Sequence, residues 1–124
     1  MNIIISNSND RPIYEQITSQ IKGLIMGGQL KEGDLLPSMR TLAKELRISV
    51  ITTKRAYEDL ERDGFITTVV GKGSFVRETD TRLVREEKLK QIEGLLSKAI
   101  SLARQSAISR EEVEEIIEII YQEE

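Results

Sequence analysis

Apolar positions recur at helical spacing from Ile13: Ile17, Ile21 and Leu24 follow, with Tyr14 and Ile25 alongside, forming one apolar stripe. Pro12 suits the first helical position because it lacks the N–H that would be orphaned there, and Gly27-Gly28 end the helix. Residues 1–11 are short of periodic signal and read as an arm that docks or frays. After a loop, Asp34-Leu35-Leu36 has room only for a very short strand. Pro37-Ser38 then opens a second helix, with Ser38 as N-cap and Met39, Leu42, Ala43 and Leu46 as its buried stripe.

Barely two turns later Arg47-Ile48-Ser49 interrupts the pattern, and Ser49 caps a third helix running to about Asp63. Two helices therefore meet across a three-residue turn. The third buries Thr53, Ala56, Tyr57 and Leu60 and stops at Gly64. From Phe65 the period becomes that of a strand: residues 65–70 and 74–76 are β-branched or aromatic runs flanking Gly71-Lys72-Gly73, which is a hairpin signal.

Helical spacing returns from about Asp80, with Leu89, Ile92, Leu96, Ala99 and Ala103 on one side and Leu95, Ile100 and Leu102 broadening it. Ser106-Ala107-Ile108 breaks it. Ser109 followed by Glu112 is a capping box for a last helix, on which Val113, Ile116, Ile117 and Ile120 share a face. The pattern predicts a mainly α protein with a small β hairpin: a helix-turn-helix followed by that hairpin over residues 1–78, and a two-helix tail over residues 79–124. Packing one tail helix on the other covers one stripe of each and leaves a second face. A second copy is expected to bury it, with Leu89, Ile92, Leu96, Ile116, Ile117 and Ile120 as dimerisation residues.

A chain of 124 residues holds at most one ordinary domain, or a small domain with an appendage. It has no Cys and no His, which removes disulfides, thiolate or imidazole zinc sites and imidazole or thiol catalysis. No acid/base pair or nucleophile with a partner can be named, so an enzyme is not expected, nor a cofactor. With no leader-like N-terminus and no long apolar run, the chain reads as soluble and cytoplasmic, without membrane association. The net charge of −3 hides an asymmetry: residues 1–78 hold 11 Lys/Arg and 10 Asp/Glu, residues 79–124 hold 7 and 11. An acidic tail can dominate that sum without touching the face that meets a polyanion.

A helix-turn-helix followed by a hairpin puts the start of the third helix where it can enter a major groove roughly 12 Å wide. The hairpin can then reach an adjacent backbone or minor groove. Ser49, Val50, Ile51, Thr52, Lys54 and Arg55 are small, apolar, hydroxylic or basic where a solvated face usually alternates Glu with Lys, and Arg40 projects from the helix before. Hydroxyls, cations and a helix N-terminus position phosphates, while Val50, Ile51 or a Thr methyl can meet a thymine methyl. Singly, each has a plainer reading, Ser49 as a cap and the cations as solvating groups; their shared face and the hairpin behind it favour DNA. Gly71-Lys72-Gly73-Ser74 is not a phosphate loop, because position 66 is Ile and Gly73 stands where Ser or Thr should follow the Lys. It reads as a hairpin tip exposing Lys72. The run Glu111, Glu112, Glu114, Glu115 and Glu118 reads as a solvated helix face and not a metal site.

Residues 12–76 resemble the DNA-binding domain of GntR-family transcription regulators, through Pro12-Ile13-Tyr14-Glu15-Gln16-Ile17, Leu36-Pro37-Ser38 with Arg40, Leu42-Ala43, Ile48-Ser49 with Thr52, Ala56-Tyr57, Leu60-Glu61, Gly64-Phe65-Ile66 and residues 71–76. The resemblance implies a bacterial winged helix-turn-helix dimer with DNA contacts from Arg40, the start of the third helix and the Gly71 turn. The short helical tail is similar to the YtrA-like branch, in which it dimerises the protein and forms no large ligand-binding domain. Positions 50 and 51 are often polar or basic in the family and are Val and Ile here; position 53 is usually Val and is Thr here. The expected function is a sequence-specific transcription regulator, a repressor, binding a pseudo-palindromic operator in double-stranded DNA as a homodimer. The alternative is a winged-helix protein–protein adaptor without DNA binding. The sequence leaves open whether a small-molecule effector exists.

Overall fold

In the computed structural model, residues 1–8 and 10–123 are described; Asn9 of the arm and Glu124 of the tail lie outside them. The element order is α1 (Ile13–Met26), α2 (Met39–Leu46), α3 (Val50–Arg62), β1 (Ile66–Val69), β2 (Gly73–Val76), α4 (Thr81–Gln105) and α5 (Arg110–Gln122). By its contacts the chain divides into two units, Met1–Thr81 and Arg82–Glu124.

In the first unit α1 and α2 pack on α3, and α3 leads directly into the hairpin. α3 buries Thr53, Ala56, Tyr57 and Leu60, the four positions its sequence pattern predicts. Both hydroxyls in that set are satisfied: Thr53 Oγ1 donates to Ser49 O at 3.2 Å, and the Tyr57 hydroxyl donates to Pro37 O. α1 buries Ile17, Ile21 and Ile25, while Ile13 is exposed and Leu24 only half-buried. The stripe is rotated from its predicted centre because Gln16 turns inward. Its Oε1 accepts the Ser6 N–H at 2.9 Å, and its Nε2 donates to Ser6 O at 3.1 Å and Arg11 O at 3.0 Å. Gln20 brackets Ile4 in the same way, accepting its N–H at 2.9 Å and donating to its carbonyl at 2.7 Å. The arm therefore docks, and Ile3 is buried. On α2, Leu42 and Ala43 are buried, whereas Met39 and Leu46 reach only half-burial.

β1 and β2 pair antiparallel with Ile66 opposite Val76 and Val69 opposite Gly73. The predicted strand at residues 34–36 is reduced to one bridge, Leu35 to Phe75, although Leu36 N–H donates to Ser74 O and Val76 N–H to Asp34 O, each at 2.9 Å. This segment ties the hairpin to the start of α2. Tyr57 adds a second tie, its buried hydroxyl donating to Pro37 O at 2.7 Å. Burial, with the Glu45 carboxylate adding to it, pushes the Tyr57 phenol above its ordinary value, so it stays a neutral donor. Tyr57→Phe is expected to lower the unfolding free energy by about 1–2 kcal/mol in urea, because the Pro37 carbonyl loses its partner. Above pH about 10 the unfolded phenol loses its proton before the folded one, so wild-type stability falls with pH there. The Phe variant should lack that component; equal alkaline slopes would dismiss it.

In the second unit α4 is one continuous helix, closed at Ser106–Ile108 by Ala107 in the left-handed region (φ 54°) and by Ile108 N–H donating to Ala103 O at 2.9 Å. Ser109 then forms the predicted capping box, accepting the Glu112 N–H at 3.2 Å while Glu112 Oε2 accepts the Ser109 N–H at 2.9 Å. The expected packing of one tail helix along the other does not form. Among the described residues α4 buries only Ala103 and α5 buries none, and Leu89, Ile92, Leu96, Ile116, Ile117 and Ile120 are all exposed in the single chain. An amphipathic pattern states that a face needs cover, and here the neighbouring helix does not supply it.

Candidate nucleic-acid interface

α2 and α3 begin with the same device. Ser38 Oγ accepts the Thr41 N–H at 3.1 Å and donates to Thr41 Oγ1 at 2.8 Å. Ser49 Oγ accepts the Thr52 N–H at 3.0 Å and shares a hydrogen bond with Thr52 Oγ1 at 2.8 Å. Between the helices Arg47 takes a left-handed conformation (φ 58°), which lets Ile48 N–H donate to Ala43 O at 3.0 Å. A non-glycine residue there costs about 1 kcal/mol. That closure ends α2 abruptly and fixes where α3 starts.

Ser49, Val50 and Ile51 are exposed at that start and Thr52 is half-buried. The first turn thus offers its remaining N–H groups and its positive dipole end, framed by two hydroxyls and two apolar side chains. One turn further on, Lys54 is exposed with its Nζ 3.8 Å from Glu58, a long and solvated pair that a phosphate can displace at little cost. Arg55 lies with its guanidinium carbon 3.8 Å from the centroid of the Tyr14 ring. Stacking uses the guanidinium face and leaves its N–H edge able to donate. Arg40 is exposed in the first turn of α2.

Gly71 and Lys72 are exposed at the hairpin tip, where Lys72 N–H closes on Val69 O at 2.9 Å. Gly73 has φ +111°, and a Cβ there would stand 3.0 Å from Leu35 Cδ1, so a side chain would be strained and crowded together. The tip's shape thus depends on the absence of side chains around Lys72, and the neighbouring Val70 is 98% exposed.

α1 is clamped across α3 at both ends. Arg55 over Tyr14 holds one; at the other, Lys22 Nζ lies 2.8 Å from Asp63 Oδ2 and 5.2 Å from the Phe65 ring centroid. The Lys22 hydrogen bond, with Arg62 beside it, holds the Asp63 carboxyl below the usual range. Sequence reasoning placed Tyr14 in an apolar stripe and missed its role as the seat of Arg55. It also passed over Lys44, one turn after Arg40 on α2, and Arg47, both exposed. Lys44 had a legible signal in its helical spacing from Arg40; the Tyr14 contact had none. In α5, Glu112 is spent on the capping box and Glu114 pairs with Arg110 at 2.7 Å.

Three helices with a tight turn between the last two, followed by an antiparallel hairpin, define a winged helix-turn-helix. The chain belongs to the gntR family of bacterial regulatory proteins, whose sequence profile matches residues 13–76. It is 36% identical over 118 residues to the HTH-type transcriptional repressor YtrA of Bacillus subtilis (strain 168), covering 95% of this chain and 91% of that protein. A transcriptional antiterminator from Listeria monocytogenes EGD-e is similar in structure, with a TM-score of 0.70 at 30% identity over 99% of this chain and 92% of that one. The DNA-binding domain of AraR, solved in complex with operator ORE1, matches with a TM-score of 0.52 at 25% identity over 61% of this chain and 93% of that one. No helix among the described residues is long and apolar enough to cross a membrane.

Proposed function

We propose that this chain is a sequence-specific DNA-binding regulator, a repressor that occludes a promoter, acting in the cytoplasm as a homodimer on a pseudo-palindromic operator. The observation that carries this reading is the start of α3, where exposed Ser49, Val50 and Ile51 with Thr52 precede Lys54 and Arg55 on a helix whose opposite side is core. Arg40 from α2 and the Gly71-Lys72 tip supply further phosphate contacts. A repressor among its relatives and an operator complex of a similar domain support the reading. It requires neither a cofactor nor catalysis.

In the dimer, the apolar faces of the tail meet across a two-fold axis and set two recognition helices about one duplex turn of ~34 Å, or a multiple of it, apart. Thr52→Ala tests the recognition helix. It is expected to weaken binding to a selected operator duplex by about 1 kcal/mol or more per half-site, and binding to random duplex by less. Equal losses on both in a gel-shift titration would make Thr52 a phosphate or structural residue. Absence of any salt-sensitive binding to random duplex at low salt would favour a protein–protein adaptor instead.

A further inference from the structure

We infer that the first turn of α3 reads the C5-methyl groups of thymine, and that Ile51 is the residue that selects them. This rests on the DNA-binding reading above and specifies what that surface recognises. Ile51 is 81% exposed and Val50 45% exposed, two successive aliphatic side chains at the end of a helix whose other exposed positions are charged. Scattered exposed aliphatics are ordinary. A pair of them at the tip of the element that enters the groove is a different matter, because each must meet something when the duplex excludes water.

The usual hydrogen-bonding readers are missing from this turn. Guanine is read by the fork of an Arg or by Lys and adenine by the amide of Asn or Gln, and residues 49–53 are Ser-Val-Ile-Thr-Thr. The polar groups present are already engaged. Ser49 and Thr52 share a hydrogen bond, Ser49 Oγ takes the Thr52 N–H, and Thr53 is buried with its hydroxyl on Ser49 O. Between them Ser49 and Thr52 keep one hydroxyl proton, enough for a single oxygen. Lys54 and Arg55 stand a turn further along, beside Glu58 and Tyr14. In the major groove the apolar group on a base edge is the thymine methyl, so an aliphatic tip discriminates by finding or missing it. Thymine should occupy the base pair under Ile51 in each half-site. The selection should act on the methyl itself, not on the pairing edge.

The test uses the full chain to select its best-bound sequence from a random duplex library. Each thymine of that duplex is then replaced singly by deoxyuridine, which keeps the pairing and the O4 acceptor and removes only the methyl. With the wild type, one or two positions per half-site should lose roughly fourfold in affinity, the worth of one buried methyl. With Ile51→Ala the same replacements should cost nothing; the site is exposed, and an unchanged thermal melt verifies that this variant is folded. If a defined sequence is selected but uracil is tolerated throughout, the methyl reading falls and DNA binding stands. If the uracil penalty persists in Ile51→Ala, another residue reads the methyl and the assignment to Ile51 is overturned. If no sequence is enriched and no salt-sensitive binding appears, the DNA-binding reading fails and takes this inference with it.

Discussion

Replacing Ile116 and Ile120 together by Glu is expected to produce monomers that keep their helical signal but lose cooperative binding to a duplex carrying two half-sites. Both side chains lie on one face of α5 and are about half exposed, 52% and 54%, in the single chain. Leu89, Ile92 and Leu96 repeat the situation on α4. Neither helix shields the other, and contiguous apolar faces of this kind are what soluble monomers usually keep covered. A carboxylate at either position costs little in an exposed monomer and much in a closed interface, where it would be desolvated without a partner. The substitutions therefore separate assembly from folding. Linking two DNA-binding units raises apparent affinity by about 10²–10⁴, and that gain should disappear while binding to an isolated half-site is retained. Sedimentation is the decisive measurement. A wild type already monomeric at micromolar concentration would show that the tail is not the dimerising element.

What the sequence revealed, and what it hid, divides along the range of the interactions. The caps at Ser38, Ser49 and Ser109 were legible because each is settled within four residues by side-chain chemistry. The buried set of α3 was legible because one helix face meets one core. Long-range polar ties were not. The arm at residues 1–11 was expected to dock or fray, but its sequence does not indicate that Gln16 and Gln20 will pin it; a short strand was expected at residues 34–36, but not that residues 33–36 will bond to β2. The tail was misread for a related reason. Its periodicity identifies faces that need burial but not the surface that buries them, and the adjacent helix was the wrong choice. At the candidate site, residue types and order on α3 could be read directly. The setting of Arg55 against Tyr14 could not, since that contact exists only once α1 crosses α3.

Affinity for duplex DNA should collapse with salt. Arg40, Lys54, Arg55 and Lys72, twice over in a dimer, imply a slope of log affinity against log salt of about −7, at roughly −0.9 per phosphate neutralised. Raising salt from about 50 to 200 mM should then weaken binding by about 10⁴. The acidic balance of the whole chain does not oppose this, because the excess of Asp and Glu lies in residues 79–124 and not around the recognition helix. Lys72→Ala provides the sharper measurement. Lys72 is exposed at a glycine-flanked tip, so removing its charge should disturb little packing. It should flatten the slope by about 2 for the dimer and leave the preference between operator and random duplex nearly unchanged, because a phosphate contact carries no base information. A change in sequence preference with the slope intact would mean that the tip reads bases in the minor groove. A slope and preference both unaltered would remove the hairpin from the interface and leave α2 and α3 to hold the duplex alone.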